Sequence, residues 1–175
     1  MSIFRICFLG PESTGKTTLS EDIGSYFTSP VIPEYGRTYT EKYAPTVWSN
    51  ADFLKIAWGH IGLRHEAERQ SPKLIIEDTD PVATAIWSDQ LGVERDPWFE
   101  KYNETADLYF LTDIDLPWVD DGIRYWPDKE RRQGFKLACI DELERRNLKY
   151  ILLSGPWEDR KAKAISVIAH HLAKT

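Results

Sequence analysis

Short apolar runs alternate along the chain with longer stretches in which apolar residues recur every three or four positions. The runs that predict strands are residues 3–9, 31–35, 73–80, 107–112 and 150–153. Nearly continuous apolar runs of this length are typical of strands buried on both faces of a parallel sheet. Because strands and helices alternate about five times, the pattern predicts an α/β fold with a doubly wound parallel sheet and helices on both faces.

The predicted helices are residues 16–27, 51–70, 97–102, 128–147 and 158–173, with a further helix that begins at Pro81. Asn50 is the expected N-cap of the long helix from residue 51, and Phe53, His60 and Arg64 fall along one face of that helix. Residues 38–50 show no clean period, so a loop or a broken helix is expected there.

Composition indicates an ordinary globular protein. The 175 residues are 42% hydrophobic and 29% charged, which predicts one domain over residues 1–175 with a core that needs no disulfide or structural metal. No apolar run approaches the roughly 18 residues that a membrane span needs. The N-terminal residues lack the pattern of a signal peptide, and we expect a cytoplasmic protein.

The net charge and the cysteine spacing exclude some kinds of partner and of metal site. A net charge of −6 and a pI near 5.3 oppose a nucleic-acid surface, which normally has a basic face. A small-molecule substrate is therefore expected. Cys7 and Cys139 have no metal-type spacing and are expected to be buried free thiols. The spacing of His60 and His65 indicates no metal site beyond Mg²⁺.

One loop dominates the chemistry that the sequence predicts. It fits the pattern G-x-x-x-x-G-K-[ST], follows the first predicted strand and opens a helix. Glycines let backbone amides approach a polyphosphate, the lysine adds a charge, and the hydroxyl of Thr17 is placed to bind Mg²⁺. The loop predicts a nucleoside triphosphate site, which kinases, GTPases and motor ATPases share. The candidate phosphate-binding residues are Gly10, Ser13, Thr14, Gly15, Lys16, Thr17 and Thr18.

Acidic residues follow two other predicted strands at the same rim of the sheet. Asp78 is a candidate for holding Mg²⁺ or for accepting the proton of an acceptor hydroxyl. Asp80, two residues further on, is a candidate for binding the acceptor ribose. Both could instead cap the helix that begins at Pro81. Glu34, Tyr35 and Arg37 are expected on a loop above a short edge strand, where they could bind sugar hydroxyls, a ring and phosphate. A surface ion pair is the alternative there.

Late in the chain, a lid is predicted around residues 115–135. Arg124 is the first candidate for a catalytic cation on the triphosphate, and Arg131 and Arg132 are further candidates that could instead be solvated helix charges. Most of the seven tryptophans should belong to the core. We take Trp58 and Trp118 as candidates for stacking on a flat substrate ring.

With these residues in place, the sequence resembles the ribosylnicotinamide kinase domain of the NadR family. The resemblance rests on the segments 10–19, 33–37, 78–80, 108–112 and 115–124. It implies phosphorylation of the 5′-hydroxyl of nicotinamide riboside by Mg·ATP. Among the candidates described above, Lys16, Asp78, Arg124 and Glu34 are expected to have catalytic roles in such a kinase. The resemblance also implies a P-loop kinase fold with sheet order 2-3-1-4-5. Gly36 departs from the alanine expected in the family's Glu-Tyr-x-Arg stretch, which leaves these roles intact.

Two alternatives stay open. A kinase for thymidine, thymidylate or another nucleoside would use the same parts, and a nucleotide-switched ATP-binding protein would share the phosphate loop. The chain contains no Asn-Lys-x-Asp guanine signature. We expect neither the repressor nor the adenylyltransferase activity of full-length NadR proteins, because the sequence contains neither of the corresponding domains. Oligomeric state and the identity of the general base among Glu34, Asp78 and Asp80 are left open.

Overall fold

The computed structural model describes residues 3–119 and 126–174. Its five strands form one sheet in the order β2-β3-β1-β4-β5, and all neighbouring pairs are parallel. The strands are β1 Phe4–Leu9, β2 Val31–Ile32, β3 Leu74–Asp78, β4 Leu108–Thr112 and β5 Tyr150–Leu153. The predicted fold class, the strand order and the short edge strand β2 are confirmed. Because β1 lies at the centre, the phosphate loop leaves the middle of the sheet.

Seven helices cover the sheet within the described residues. They are α1 Lys16–Phe27, α2 Tyr35–Tyr43, α3 Asn50–Glu68, α4 Pro81–Gln90, α5 Pro97–Lys101, α6 Lys129–Arg145 and α7 Trp157–Leu172. Leu19 and Ile168 of α1 and α7 pack in one apolar cluster, and Ile86 and Leu143 of α4 and α6 pack in another. Helices therefore lie on both faces of the sheet, as predicted.

The segment after β2 differs from the prediction. Residues 35–43 form helix α2, whereas we expected the first of them on a loop and the rest in a loop or broken helix. Tertiary contacts explain the helix, because Tyr39 is buried and its hydroxyl donates to Asp52 of α3 over 2.6 Å. The prediction of Asn50 as N-cap is also wrong. Ser49 is the N-cap, since its N–H donates to the Asp52 carboxylate at 2.9 Å in a capping box.

A buried ion-pair cluster explains Arg5, the charged exception in strand β1. Glu77 of β3 is fully buried and accepts from Arg5 Nε at 3.0 Å and lies 2.7 Å from His60 Nε2 of α3. Burial alone would raise the pKa of Glu77, but the hydrogen bond to His60 and the charge of Arg5 outweigh it and lower the pKa. This cluster fixes α3 against the sheet beside the predicted rim.

The structure also shows the state of the two cysteines and the character of the helices. Cys7 and Cys139 are buried free thiols, as predicted, and burial raises the pKa of both. Over residues 3–119 and 126–174, none of the helices has the length and apolar character that a membrane crossing requires.

Candidate active site

The phosphate loop runs from the end of β1 into α1 with the backbone that its glycines predict. Gly10 has φ +143° and Gly15 has φ +85°, and the chain of Ser13 between them is also left-handed at φ 58°. A Cβ at Gly10 would lie 2.5 Å from Thr112 Oγ1 and 2.9 Å from the Thr112 carbonyl oxygen. Gly10 is therefore required both by its dihedral angle and by the closeness of β4.

Replacing Gly10 by alanine should displace the loop. We expect Gly10→Ala to weaken ATP binding roughly tenfold or more, because the strain of a left-handed alanine and the clash with Thr112 can both be relieved by moving the loop. Gly62→Ala is the matched control, since no atom lies within 4 Å of a Cβ there and alanine favours the interior of α3. Isothermal titration with AMP-PNP measures both variants. Equal affinity of the Gly10→Ala and wild-type chains would contradict the account.

The hydroxyls of the loop divide into structural and accessible ones. Thr14 is buried, and its Oγ1 donates to the Pro11 carbonyl at 2.8 Å and lies 2.6 Å from Thr112 Oγ1. The side chain of Thr14 thus ties the loop to β4, and only its backbone can serve a phosphate. Ser13 Oγ accepts from the N–H of Val119 at 2.8 Å, whereas Thr18 is exposed at the start of α1.

Lys16 lies along the same loop. Its Nζ donates to the Pro11 carbonyl at 2.7 Å, which keeps the ammonium group at the loop. A phosphate bound to the loop would compete with this carbonyl for the ammonium protons. The position of Lys16 therefore fits its predicted role, in which the ammonium group binds the triphosphate.

Thr17 and Asp78 meet at the edge of the loop. Thr17 Oγ1 donates to Asp78 Oδ2 at 2.6 Å, and Asp78 Oδ1 is buried without a hydrogen-bond partner among the described residues. Burial raises the pKa of Asp78, and the nearby charge of Lys16 opposes that shift. A hydroxyl and a carboxylate side by side are the hard oxygen ligands that Mg²⁺ takes together with phosphate oxygens and water. These two side chains fit the predicted magnesium ligands.

Glu34 brings a second carboxylate to this site. It is the N-cap residue of α2, and it lines a cavity together with Lys16 and Thr17. Burial, and then the negative charge of Asp78, raise the pKa of Glu34. The charge of Asp78 thus disfavours ionisation of Glu34. Tyr35 and Arg37 follow in the first turn of α2 and line the same cavity.

Asp80 is held as a helix cap. Its Oδ1 accepts from the N–H groups of Val82 and Ala83 at 2.9 and 3.2 Å, and its Oδ2 accepts from the Tyr109 hydroxyl at 2.6 Å. The capping alternative for Asp80 is confirmed. Thr79 before it has φ 69°, so the backbone turns sharply between Asp78 at the loop and Asp80 at α4. Asp80 also lines the cavity, and its contact with a substrate stays a prediction.

The far wall of the cavity is aromatic and comes from α3, α4 and the segment before α3. The residues of this wall are Trp48, Phe53, Ile56, His60, Thr84, Trp87 and Leu91. Phe53, Ile56 and His60 lie on the helix face that the spacing predicts as buried. The sequence does not assign these residues to the site, because the spacing shows which face is buried but not what lies opposite it; His60, for example, contacts Glu77 of β3.

The two tryptophans predicted to stack on a substrate ring do not line this cavity. Trp58 lies off the buried face of α3, is 54% exposed and packs against Trp98 with ring centroids 5.0 Å apart. Trp118 lies on the segment after β4, and it is not among the residues that line the cavity. Helix α3 turns Trp58 outward and brings Phe53 inward, so the structure does not bring Trp58 to this cavity, whereas stacking by Trp118 stays a prediction.

The three arginines predicted on the lid have different outcomes. Arg124 lies outside the described residues. Arg131 sits on the first turn of α6, pairs with Asp128 at 3.5 Å and is 68% exposed, so its side chain fits the solvated alternative. Arg132 is buried, and its Nε and Nη1 have no hydrogen-bond partner among the described residues. Of the two arginines on α6, Arg132 is therefore the one whose guanidinium N–H groups are available to bind an anion.

Comparison with known proteins agrees with this geometry. A family model described as an AAA domain matches residues 5–160. The chain belongs to this AAA domain family. It is 28% identical over 151 residues to the trifunctional NAD biosynthesis/regulator protein NadR of Escherichia coli K12, an alignment covering 83% of this chain and 37% of that protein. The chain thus spans well under half the length of its curated relative.

Solved structures give the same relationship at the level of the fold. A NadR protein in complex with NR superposes with a TM-score of 0.84 at 23% identity, covering 98% of this AAA-domain chain and 52% of that chain. A NadR protein in complex with NAD and AMP-PNP gives 0.78 at 21% identity, covering 96% and 49%. The resemblance to the NadR family that the sequence predicts is confirmed.

Proposed function

We propose that this protein transfers the γ-phosphoryl group of ATP to the 5′-hydroxyl of nicotinamide riboside and so produces nicotinamide mononucleotide. The observation that carries the proposal is one cavity that joins the phosphate loop and the Thr17–Asp78 pair to the Glu34 carboxylate and an aromatic wall. The similar NadR proteins add support, since one is named for NAD biosynthesis and others were solved with NR or with AMP-PNP.

Phosphoryl transfer mainly needs positioning and charge neutralisation. The loop amides and Lys16 would hold the phosphates, while Thr17 and Asp78 would hold Mg²⁺. The metal, when bound, neutralises negative charge that develops on the transferred group. Arg124, Arg131 and Arg132 are proposed to reach the triphosphate from a lid around residues 115–135, and the unpartnered guanidinium nitrogens of Arg132 favour that residue over Arg131.

The acceptor hydroxyl needs a group that takes its proton. Asp78 and Glu34 are the candidates, because both carboxylates belong to the site and both have a raised pKa. A raised pKa brings a carboxylate closer to the operating pH, where general-base catalysis is most effective. Arg37 lines the same cavity and can orient the ribose or a phosphate oxygen.

The acceptor base fits the aromatic wall. Nicotinamide riboside carries a positively charged, flat pyridinium ring. Trp48, Phe53 and Trp87 line the cavity and supply aromatic rings of the kind that attract a cation, and the carboxyl groups of Glu34 and Asp80 line the same cavity. A cationic ring is therefore expected to bind there better than a neutral pyrimidine. We further propose that the protein acts in the cytoplasm.

A substrate panel tests the proposal. We expect ATP consumption to depend on added nicotinamide riboside and to be much slower with thymidine, thymidylate or no acceptor. A coupled assay for ADP measures each reaction with Mg²⁺ present. Hydrolysis that proceeds equally well without an acceptor would support a nucleotide switch instead. Stimulation by thymidine or thymidylate alone would support the alternative kinase.

A further inference from the structure

A fully buried arginine lies behind the phosphate loop. Arg160, on the first turn of α7, has no solvent exposure. Its Nε donates to the carbonyl of Gly155 at 2.9 Å, and its Nη1 lies 3.3 Å from the carbonyl of Thr14 and 3.4 Å from that of Asp113. Its Nη2 forms an ion pair with Asp115. One guanidinium thus joins the phosphate loop, the end of β4 and the turn after β5.

The contact with Thr14 orients a peptide of the loop. The structure contains no cis peptide bonds among the described residues, and in a trans peptide the C=O and the following N–H point in opposite directions. Because Arg160 lies behind the loop and binds the Thr14 carbonyl, it turns the Gly15 N–H toward the opposite side. That side is where a phosphate-binding loop presents its amides to the anion.

A second residue of the first turn of α7, Trp157, packs against the phosphate loop. Trp157 precedes Arg160 by three positions, so both lie on one face of α7. A Cβ added to Gly15 would lie 2.6 Å from the indole ring of Trp157, which shows that the ring packs directly on the Gly15 backbone. The first turn of α7 therefore contacts the loop at consecutive residues.

Asp115 links this support to the proposed lid. Its Oδ2 accepts from the N–H of Gly155 at 2.6 Å, and its other oxygen pairs with Arg160. The side chain of Asp115 is 39% exposed, whereas that of its partner Arg160 is fully buried. The chain enters the predicted lid segment at Asp115, and the ion pair fixes that entry point relative to the phosphate loop.

We propose that Arg160, together with Asp115, is a positioning residue for the nucleotide. The pair holds the Thr14–Gly15 peptide, through the contacts of Arg160 with Thr14 and of Asp115 with Gly155, in the arrangement that binds triphosphate. Loss of the pair should weaken ATP binding and leave the acceptor cavity, whose walls come from α2, α3 and α4, unchanged. The effect on turnover rests on the proposed function, whereas the effect on nucleotide binding does not.

Titration of AMP-PNP into Arg160→Met and Asp115→Asn chains tests the proposal. We expect Kd to rise roughly tenfold or more for Arg160→Met and about threefold for Asp115→Asn, since hydrogen bonds to charged groups are involved. In the double variant, the Kd for AMP-PNP should rise by less than the product of the two single increases, because both substitutions remove the same ion pair. In turnover, KM for ATP should rise while KM for nicotinamide riboside stays within about twofold.

Arg95→Met is the matched control, because Arg95 is also largely buried in ion pairs, with Asp89 and Glu142, and touches no part of the loop. It should lower the melting temperature with an unchanged Kd for AMP-PNP. If Arg160→Met behaves in the same way, Arg160 is only structural and the proposal is overturned. If that variant does not fold, an unchanged Kd in Asp115→Asn, whose side chain is partly exposed, overturns it. Changed AMP-PNP binding without any response to nicotinamide riboside would overturn the proposed function alone.

Discussion

The Asp78→Asn chain is expected to fold normally and to lose at least about 10²-fold of its turnover, the range that loss of a general base or of metal positioning spans. Asp78 Oδ2 is bound by the Thr17 hydroxyl and Oδ1 is buried without a partner among the described residues. An amide keeps the size of the side chain and can still accept from Thr17. It cannot carry the negative charge that a metal ion or an acceptor proton needs.

Steady-state kinetics with ATP and nicotinamide riboside measures this effect. Asp22→Asn is the matched control, because it makes the same chemical change in a surface ion pair with Lys161. Surface pairs contribute little to stability, so that variant should keep its turnover. Near-normal turnover of Asp78→Asn, with the melting temperature of the wild type, would contradict the role of Asp78 in catalysis.

The largest effect on stability is expected for Glu77→Gln. Glu77 is fully buried between Arg5 and His60, and removing its charge leaves a largely buried guanidinium without its counter-ion. We expect the free energy of unfolding to fall by about 3 kcal/mol. For a chain of this size that corresponds to a melting temperature lower by roughly 6–12 °C. Glu94→Gln, at an exposed position, is the control and should have the same melting temperature as the wild type.

The pH dependence follows from the lowered pKa of Glu77. A carboxyl whose pKa is depressed on folding contributes stability above its ordinary value of 4.5, and that contribution is lost as the pH falls through the lower folded value. The difference in melting temperature between wild type and Glu77→Gln should therefore be full at neutral pH and shrink in acid below pH 4.5. A difference that stays constant down to acid, or no difference at neutral pH, would contradict the ion-pair account.

The sequence predicts the sheet and the phosphate loop because both depend on local patterns. The glycines at positions 10 and 15 and the apolar strand before them determine the loop with few contributions from elsewhere. Asp80 as a cap of α4 follows from Pro81 at the next position in the same way. Predictions of this kind hold because neighbouring residues supply most of the interactions.

The acceptor side depends on tertiary contacts and is less predictable. Helix α2 forms over residues with weak helical pattern because Tyr39 docks on Asp52. The spacing predicts which face of α3 is buried, but what that face packs against depends on contacts such as that of His60 with Glu77, which lies in another element. Arg160 shows the extreme case, since its contact with Thr14 spans 146 positions of the chain and leaves no local pattern.

The central claim is transfer of phosphate to the ribose of nicotinamide riboside, and ³¹P NMR of the reaction mixture tests it most directly. The wild-type chain is incubated with Mg·ATP and nicotinamide riboside, and the products are followed by their phosphorus resonances. We predict that ADP and a 5′-phosphomonoester of the riboside form in equal amounts. Formation of ADP with inorganic phosphate, and no phosphomonoester, would contradict the claim.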